Sequence, residues 1–396
     1  MFFSKKLIYA DSAASTPIIP QAKKRLVELL DVYANPGGIH ESAIKAKEIL
    51  ESARKEIAGV IGAHADEIVF TSSGTEANNL ALSGVLEGRN DVVAITLTTE
   101  HPSVLETLRA QRSAETVALE VEGSGLVTLQ KLEEAITEKV VLISVVLINS
   151  ELGVIQDVRA IAKVIRTERK KRAENKNPLP IYFHIDASQA PLWIRLAVDQ
   201  LHPDLMTLDA QKCGGPKGVG LLYIRRGTPI HPQTWGGSQE RGLRAGTENI
   251  PLIGSFACAL SIAQSECEEN SARVAPLRDA LLSKIKEKIE GVTVNGSTES
   301  RVANNLNISI EGLVGEMAVI ALSAKGIEVS TRSACSSDDE DESHVLLAIG
   351  ATKKQAQGAL RFTLLPSVSP ADIERITETL VAVNEKYHGT FDATSL

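Results

Sequence analysis

Hydrophobic residues along the chain change their spacing repeatedly, and this pattern predicts an α/β fold. From about residue 40 to residue 250, short continuous apolar runs alternate with segments that carry an apolar residue at every third or fourth position. The first kind of segment is typical of buried strands and the second of amphipathic helices. The alternation therefore predicts a large, mainly parallel sheet that is covered by helices.

The pattern defines seven predicted strands, which suffice for one large sheet: Ile68–Ser72, Val92–Leu97, Val117–Val121, Val140–Asn149, Ile181–Asp186, Leu205–Leu208 and Val219–Ile224. The predicted helices that precede or separate them are Glu41–Ile61, Thr75–Leu86, Pro102–Gln111, Leu129–Thr137 and Val158–Arg172.

A second, smaller domain is predicted at the carboxyl end. A chain of 396 residues exceeds the size of one simple core. Beyond residue 250 the pattern shifts to long helical periods with short strands around Asn305–Ile310 and Ile327–Ser330. We expect a large domain at residues 16–250 and a small α/β domain formed by residues 1–15 and 251–396.

Composition and charge narrow the range of functions. A net charge of -8 and a pI near 5.6 argue against direct nucleic-acid binding, because phosphate backbones select basic surfaces. The longest apolar run, Val140–Asn149, is too short to cross a bilayer, and the amino terminus lacks the apolar core of a signal peptide, so we expect a cytoplasmic protein with no membrane partner. No C-x-x-C pair occurs among the cysteines, which argues against a metal site or a disulfide framework: Cys213, Cys258, Cys267 and Cys335.

The most informative residues are Lys212, which directly follows a predicted strand, and Asp186, which ends an earlier one. A lysine amine can form a Schiff base with the aldehyde of pyridoxal phosphate (PLP). An aspartate beside the pyridine nitrogen keeps that nitrogen protonated and makes the ring an electron sink. The pair therefore suggests PLP chemistry, although each residue is ordinary when taken singly.

Other polar residues follow strands of the same sheet. Ser72–Asn78 opens a helix, where free N–H groups bind a phosphate or form a simple capping box. His101 follows the next strand and is either a stacking partner for a pyridine ring or a structural histidine. Asn149 and Gln189 lie at the ends of two further strands, at the edge where open α/β sheets bind ligands.

Three further features complete the candidate site. The glycine-rich segment from Gly236 to Thr247 carries two arginines that suit anionic groups. Arg361 is a candidate bidentate partner for a substrate carboxylate. Cys335 lies among small polar residues rather than the apolar neighbours of a structural cysteine, which favours a reactive thiol.

Together these residues resemble the cysteine desulfurases, PLP enzymes of fold type I in the class V aminotransferase-like family. The resemblance covers nearly the whole chain and lies in Tyr9–Ala14, Asn35–Pro36, Ser73–Glu76, Glu100–His101, Asn149–Val154, His184–Gln189, Lys212, Gly215–Gly218, Gln239–Gly242, Arg244–Thr247, Ser333–Cys335 and Arg361–Phe362. The Ser-Ala-Cys segment distinguishes the desulfurases from aminotransferases that share the scaffold.

The resemblance implies a role for each matching residue. Lys212 forms the Schiff base with PLP, Asp186 holds the ring nitrogen, His101 stacks on the ring, and Gln189 meets the phenolic oxygen. The phosphate is held by Gly74 and Thr75 and, across a homodimer interface, by Thr247. Gln211 stands where the family usually has a histidine, and its amide can still donate to the phosphate. The substrate carboxylate is bound by Arg361, Asn149 and Asn35.

The implied reaction converts L-cysteine to L-alanine and leaves the sulfur on Cys335 as a persulfide. That sulfur then passes to an acceptor protein, such as an iron–sulfur scaffold or a tRNA-thiolation protein. A selenocysteine or cystine lyase on the same scaffold, and a scaffold protein of low turnover, are the alternatives. The latter draws its support from two departures from the family pattern, Gln211 in place of a histidine and Asp209 in place of a serine.

The acidic run Asp338–Glu342 is a third departure. It is either a solvated loop or a docking site for a basic patch on the sulfur acceptor.

Overall fold

The computed structural model describes residues 7–331 and 342–388. Within these ranges the strands are β1 Ile8–Tyr9, β2 Ile68–Thr71, β3 Val92–Leu97, β4 Ala114–Leu119, β5 Val140–Val146, β6 Tyr182–Asp186, β7 Leu205–Asp209, β8 Gly220–Ile224, β9 Val292–Val294, β10 Asn305–Ile310, β11 Ile327–Glu328 and β12 Ala359–Thr363. The helices are α1 Pro20–Leu29, α2 Glu41–Ile61, α3 Gly74–Leu86, α4 Pro102–Ala110, α5 Leu129–Ala135, α6 Val158–Glu174, α7 Val198–Leu201, α8 Ile250–Lys288, α9 Gly315–Ser323, α10 His344–Ala348, α11 Lys353–Gln357 and α12 Pro370–Tyr387.

Seven of the described strands form one sheet in the order β2-β8-β7-β6-β5-β3-β4, which confirms the predicted fold class. The strands from β7 to β4 in this order run parallel to one another, and β8 runs antiparallel to both of its neighbours. Every residue of β5 is buried. A strand that is covered on both faces reads as one continuous apolar run, which explains why the sequence pattern located it.

Two predicted strands of the large sheet differ from the structure by three residues at a boundary, whereas the other strands of this sheet differ by at most one residue. β4 was predicted at Val117–Val121 and spans Ala114–Leu119. It lies at the edge of the sheet and is mostly half-buried, so its apolar pattern is weak. β5 was predicted to reach Asn149 and ends at Val146. Leu147 N still donates to Asp186 O in β6 (2.8 Å), but Ile148 pairs with Ile155 instead, and the side chains of Leu147 and Ile148 remain buried.

The carboxyl-terminal region contains a three-stranded antiparallel sheet in the order β12-β10-β9. The long helix α8 packs on α1, α2 and α12. By length and hydropathy α8 is the one described helix that could cross a membrane, but 61% of its apolar window is buried within the protein. Core packing therefore accounts for its composition. The domain boundary near residue 250 stays a prediction from the sequence.

The amino-terminal segment connects these two regions. β1 pairs with β11, and Ser12 N donates to Thr363 O at the end of β12 (3.1 Å). A few residues later, Thr16 N donates to Gln211 O (2.7 Å), directly before Lys212. The segment thus links the strand that carries Arg361 to the turn that carries Lys212.

Gly220 in β8 makes room for the turn that starts α3. A Cβ atom at this position would lie 2.6 Å from the backbone carbon of Ser73 and 3.0 Å from the nitrogen of Gly74. Because these are backbone atoms, the turn itself must move. We expect Gly220→Ala to lower the free energy of unfolding by about 2 kcal/mol in urea titrations, as overpacking of a filled interior does.

The matched control is Gly59→Ala, in the exposed part of α2. Nothing lies within 4 Å of its added Cβ. Alanine is the better helix former, so this variant should raise the free energy of unfolding by about 0.5–1 kcal/mol. Equal changes in the free energy of unfolding, of the same sign in both variants, would contradict the steric explanation.

Candidate active site

A cavity of about 300 Å³ opens at the carboxyl edge of the parallel strands. Its walls include the residues that follow β3, β5, β6 and β7, together with the start of α3. The amino-terminal segment contributes Ala13 and Ala14, and β12 contributes Arg361. This is the position at which open α/β sheets bind ligands, and it brings together residues that are far apart in sequence.

Asp186 ends β6 and is 6% exposed. Its Oδ2 accepts a hydrogen bond from Asn78 Nδ2 (2.8 Å), and its Oδ1 accepts from Ser188 N (3.0 Å) and Ser188 Oγ (2.6 Å). Three donors orient the carboxylate. The arrangement suits an acceptor that keeps a pyridine nitrogen protonated.

Lys212 follows β7 in a short 3-10 turn. Its Nζ donates to Ala13 O (2.7 Å) and Ala14 O (2.6 Å). Gln189 Nε2 donates to the same Ala13 oxygen (2.9 Å), so the amide and the amine lie side by side. The structure therefore places the predicted Schiff-base lysine and the predicted partner of the phenolic oxygen on one wall.

His101 is the amino-terminal cap of α4, and its Nδ1 accepts a hydrogen bond from Ser103 N (3.0 Å). A neutral ring with this bond carries its proton on Nε2. Burial lowers the pKa of His101 below its ordinary value, the nearby Lys212 lowers it further, and Asp186 opposes the shift. At neutral pH the ring is therefore uncharged, which suits stacking on an aromatic cofactor.

Glu100 is fully buried beside His101. Its Oε1 accepts from Val146 N (2.7 Å). Burial, reinforced by the charge of Asp186, raises the pKa of Glu100 well above its ordinary value, although the bond from Val146 opposes the shift. The side chain is therefore a neutral acid that adds no negative charge to the cavity at mildly acidic pH.

Arg361 is 1% exposed and pairs with Asp11 through Nη2 and Oδ1 (2.6 Å). Its Nη1 donates to Ser150 O (3.2 Å). The guanidinium lines the cavity and suits a carboxylate ligand. Asn149 also lines the cavity, but its amide bonds Thr99 O, Glu151 N and Leu152 N and so shapes the turn after β5.

Several buried polar atoms of the cavity walls have no hydrogen-bond partner in the described part of the chain: Asn78 Oδ1, Thr99 Oγ1, Glu100 Oε2 and Arg361 Nε. Unsatisfied polar atoms are costly in an interior, and a polar ligand in the cavity accounts for them. Together with Asp186, Lys212 and His101, they show that this end of the cavity fits the ring of PLP and a polar substrate.

The start of α3 forms another part of the cavity wall, which we call the phosphate end. Ser73 caps the helix, and Gly74 and Thr75 line the cavity, as predicted for a phosphate site. Gly74 N, however, donates to Asp209 Oδ2 (3.1 Å), and Gln211 Nε2 donates to the same oxygen (3.1 Å). The chain's own carboxylate thus uses donors that the sequence assigned to the phosphate.

Two predicted residues lie apart from the cavity within a single chain. Asn35 is exposed, and its Oδ1 accepts from Gly37 N (2.9 Å). Thr247 is also exposed and does not line the cavity. Cys335 and Asp338 to Asp341 lie outside the described residues.

The rival thiol, Cys213, is buried, and burial raises the pKa of its thiol far above the ordinary range. The protonated thiol is a poor nucleophile, because the thiolate is the reactive form.

Sequence reasoning assigned no role to Asn78, Ser188, Asp11 or His344. Asn78 lies one helical turn after Gly74, within the segment Ser72–Asn78, and Ser188 lies two residues after Asp186, within the segment His184–Gln189. Asp11 lies within the family motif Tyr9–Ala14, but its pairing with Arg361 joins residues 350 positions apart. His344, which bonds Glu100 O (3.0 Å), follows an acidic run and had no sequence signal.

Comparison with known proteins agrees with this geometry. The family model for aminotransferase class V matches residues 8–376. The cysteine desulfurase IscS of Dictyoglomus turgidum is 37% identical over 390 residues, covering 96% of this chain and 95% of that protein. The corresponding protein of Methanosarcina thermophila is 36% identical over 387 residues, covering 96% and 93% of the two chains.

Solved structures give the same result. A NifS-like protein superposes with a TM-score of 0.87 at 31% identity, covering 96% of this chain and all of that one. The structure described as SspA in complex with cysteine has a TM-score of 0.76 at 32% identity, covering 91% and 99%. The chain therefore belongs to the class V aminotransferase family and, within it, to the PLP-dependent cysteine desulfurases.

The buried acid Glu100 provides a test of the site's electrostatics. The unfolded chain ionises Glu100 near its ordinary pKa of 4.5, whereas the folded chain keeps it protonated to higher pH. The folded state then binds more protons, so its stability falls as pH rises. We expect urea titrations from pH 5 to 8 to show that Glu100→Gln gains stability relative to the wild type, by at most about 1.4 kcal/mol per pH unit.

Glu134→Gln is the control, because Glu134 is exposed on α5. Its unfolding free energy should follow the wild type across the same pH range. Parallel curves for the wild type and Glu100→Gln would show that the buried carboxyl is not neutral.

Proposed function

We propose that this enzyme converts L-cysteine to L-alanine and carries the released sulfur on Cys335 as a persulfide for delivery to an acceptor protein. The observation that supports it most is the convergence of Lys212, Asp186 and Arg361 on one cavity. The resemblance to IscS proteins over 96% of the chain supports the same substrate.

Arg361 is the proposed anchor of the substrate carboxylate. Its buried guanidinium has one ion pair, with Asp11, and an Nε that lacks a hydrogen-bond partner in the described part of the chain. A carboxylate that reaches this group gains a charge-assisted hydrogen bond in a site of low dielectric constant. This anchor fixes the orientation of the α carbon relative to Lys212.

Lys212 is the proposed acid and base at the α carbon. When bound, PLP withdraws electrons from that carbon through its protonated ring. Asp186 keeps the ring nitrogen protonated, and its three donors hold the carboxylate in place. Lys212 Nζ removes the α proton, and the neutral His101 supports the ring without adding charge.

The sulfur step balances without an external oxidant. The Cys335 thiolate attacks the sulfur of the substrate, an S–S bond forms and the C–S bond breaks. The bonding electrons stay with the three-carbon fragment, which takes up a proton and leaves as alanine. A thiol reductant or an acceptor protein then removes the persulfide sulfur, and we propose that this occurs in the cytoplasm for iron–sulfur cluster assembly or tRNA thiolation.

We also propose that two copies of the chain form a homodimer. One copy leaves Asn35 and Thr247 exposed and outside the cavity, although both match the family's site pattern. Large apolar side chains near them are exposed to solvent: Tyr33 at 87%, Ile39 at 94% and Trp235 at 81%. Exposed apolar groups of this size are typical of a surface that binds a partner.

The reaction is tested by measuring alanine and sulfide release from L-cysteine in the presence of PLP and a reductant. The wild type should produce both, and Lys212→Ala should lose both by a factor of at least about 1000, because the base at the α carbon is removed. Cys335→Ala should lose sulfide release and persulfide labelling to a similar extent.

Cys258→Ala controls for the general effect of removing a thiol. Cys258 is half-buried on α8 and lies outside the cavity, so its activity should match the wild type. Activity retained in Cys335→Ala would favour a lyase that does not depend on this thiol. A wild type that binds PLP but releases no alanine would favour the scaffold alternative.

The homodimer is tested by light scattering at micromolar concentration. The wild type should show twice the 42.4 kDa mass of the chain, whereas Trp235→Asp should shift toward one chain mass, because it places a charge in an apolar interface. Ile320→Asp is the control, since Ile320 is 64% exposed on α9 in the carboxyl-terminal region. A wild type of one chain mass, or equal effects of the two substitutions, would contradict the proposed interface.

A further inference from the structure

The phosphate end of the cavity contains a carboxylate, Asp209, to which the proposed reaction assigns no role. Asp209 ends β7 and is 6% exposed. Its Oδ2 accepts from Gly74 N and Gln211 Nε2, both at 3.1 Å, and its Oδ1 accepts from Gln211 N at 3.2 Å. The side chain is therefore held in one orientation by three donors, and two of them, Gly74 N and Gln211 Nε2, belong to residues that the sequence assigned to the phosphate.

The donors that Asp209 uses are those that an anion at this helix start would use. Gly74 provides the first backbone N–H of α3, and such groups bind phosphates because they lack partners within the helix. The Gln211 amide is the only side-chain donor that the sequence assigned to the phosphate from this turn. A phosphate at this end must therefore share or displace the bonds that Asp209 already makes.

The close packing of Asp209 and its negative charge both oppose the binding of a phosphate. A Cβ at Gly74 would lie 3.2 Å from Asp209 Oδ2 and 3.3 Å from Ser188 Oγ, so the carboxylate packs closely against the helix start. Asp209 has no ion pair within 4.0 Å in the described ranges. Arg244, on the glycine-rich segment, is paired with Glu76 (2.9 Å). A phosphate would thus add negative charge beside an uncompensated carboxylate.

We propose that Asp209 is an internal competitor of the cofactor phosphate and lowers the affinity of this enzyme for phosphorylated forms of the cofactor. The ring end of the cavity then provides most of the non-covalent binding. This inference rests on the cofactor site described under the proposed function. It adds a residue that sets how much the phosphate contributes to the affinity for the cofactor.

The test compares two ligands that form no Schiff base with Lys212, pyridoxamine 5'-phosphate and pyridoxamine. Their dissociation constants are measured by calorimetry with the full chain freed of cofactor. Asp209→Asn keeps an acceptor for Gly74 N and removes the charge. It should bind the phosphorylated ligand about tenfold more tightly and change the affinity for pyridoxamine less than about twofold, because one charge-assisted contact is gained only by the phosphate.

Asp157→Asn is the matched control. Asp157 caps α6 through a bond from Ala160 N (3.0 Å), is exposed and does not line the cavity. Its substitution removes the same charge from another helix start, and both dissociation constants should stay at the wild-type values. Equal tightening in the two variants would show a general effect of net charge and overturn the proposal.

Two other outcomes also overturn it. Weaker or unchanged binding of the phosphorylated ligand by Asp209→Asn would show that the carboxylate does not compete. An equal gain for both ligands would show that Asp209 acts on the ring end. If neither ligand binds any variant, the cofactor site itself is misplaced, and the proposed function fails with the inference.

A measurement on the wild type alone keeps the inference testable if the variant does not fold. The ratio of the pyridoxamine and pyridoxamine phosphate dissociation constants reports the phosphate contribution directly. We expect a ratio below about 100, whereas two or more unopposed charge-assisted bonds would give a ratio above about 1000 and contradict the competitor role.

Discussion

The short amino-terminal segment from Asp11 to Thr16 is the constraint on which the site depends. Asp11 pairs with the guanidinium of Arg361, and the carbonyls of Ala13 and Ala14 accept from Lys212 Nζ. Thr16 then bonds the backbone of Gln211 through both its nitrogen and its hydroxyl (2.7 and 2.9 Å). The proposed substrate anchor, Arg361, lies in β12, and the proposed catalytic amine, Lys212, lies in the turn after β7, so this segment connects the two groups. A change in its backbone would move both groups together.

The charges of the cavity are arranged so that only a few groups are ionised. Burial raises the pKa of Glu100 and lowers the pKa of His101, and it lowers the pKa of His184, which lies between β5 and β7, to about 4, so it favours the neutral form of all three groups. With fewer charged neighbours in a medium of low dielectric constant, each group that stays charged interacts more strongly with a ligand. The Asp186 carboxylate, oriented by Asn78 and Ser188, is therefore a specific electrostatic partner for a ring nitrogen.

Sequence patterns predicted the elements of the large sheet because most of its strands are buried on both faces, and polar residues mark where several of them end. Lys212, Asp186 and His101 could be placed at one edge for the same reason, since the carboxyl ends of parallel strands meet there. The pairing of Asp11 with Arg361, and the bond from His344 to Glu100, could not be predicted. Each joins residues hundreds of positions apart through side-chain contacts that leave no periodic signal.

The two ends of the cavity differ in how far the protein satisfies its own polar groups. At the ring end, Thr99 Oγ1, Glu100 Oε2 and Arg361 Nε lack partners in the described part of the chain, so a ligand that reaches these three atoms gains hydrogen bonds without displacing a partner of theirs. At the phosphate end, Asp209 already satisfies Gly74 and Gln211, so a ligand there must exchange bonds rather than add them. Exchange contributes less free energy than new bonds. The affinity of the site for its cofactor and substrate should therefore come mainly from the ring end, where the chemistry occurs.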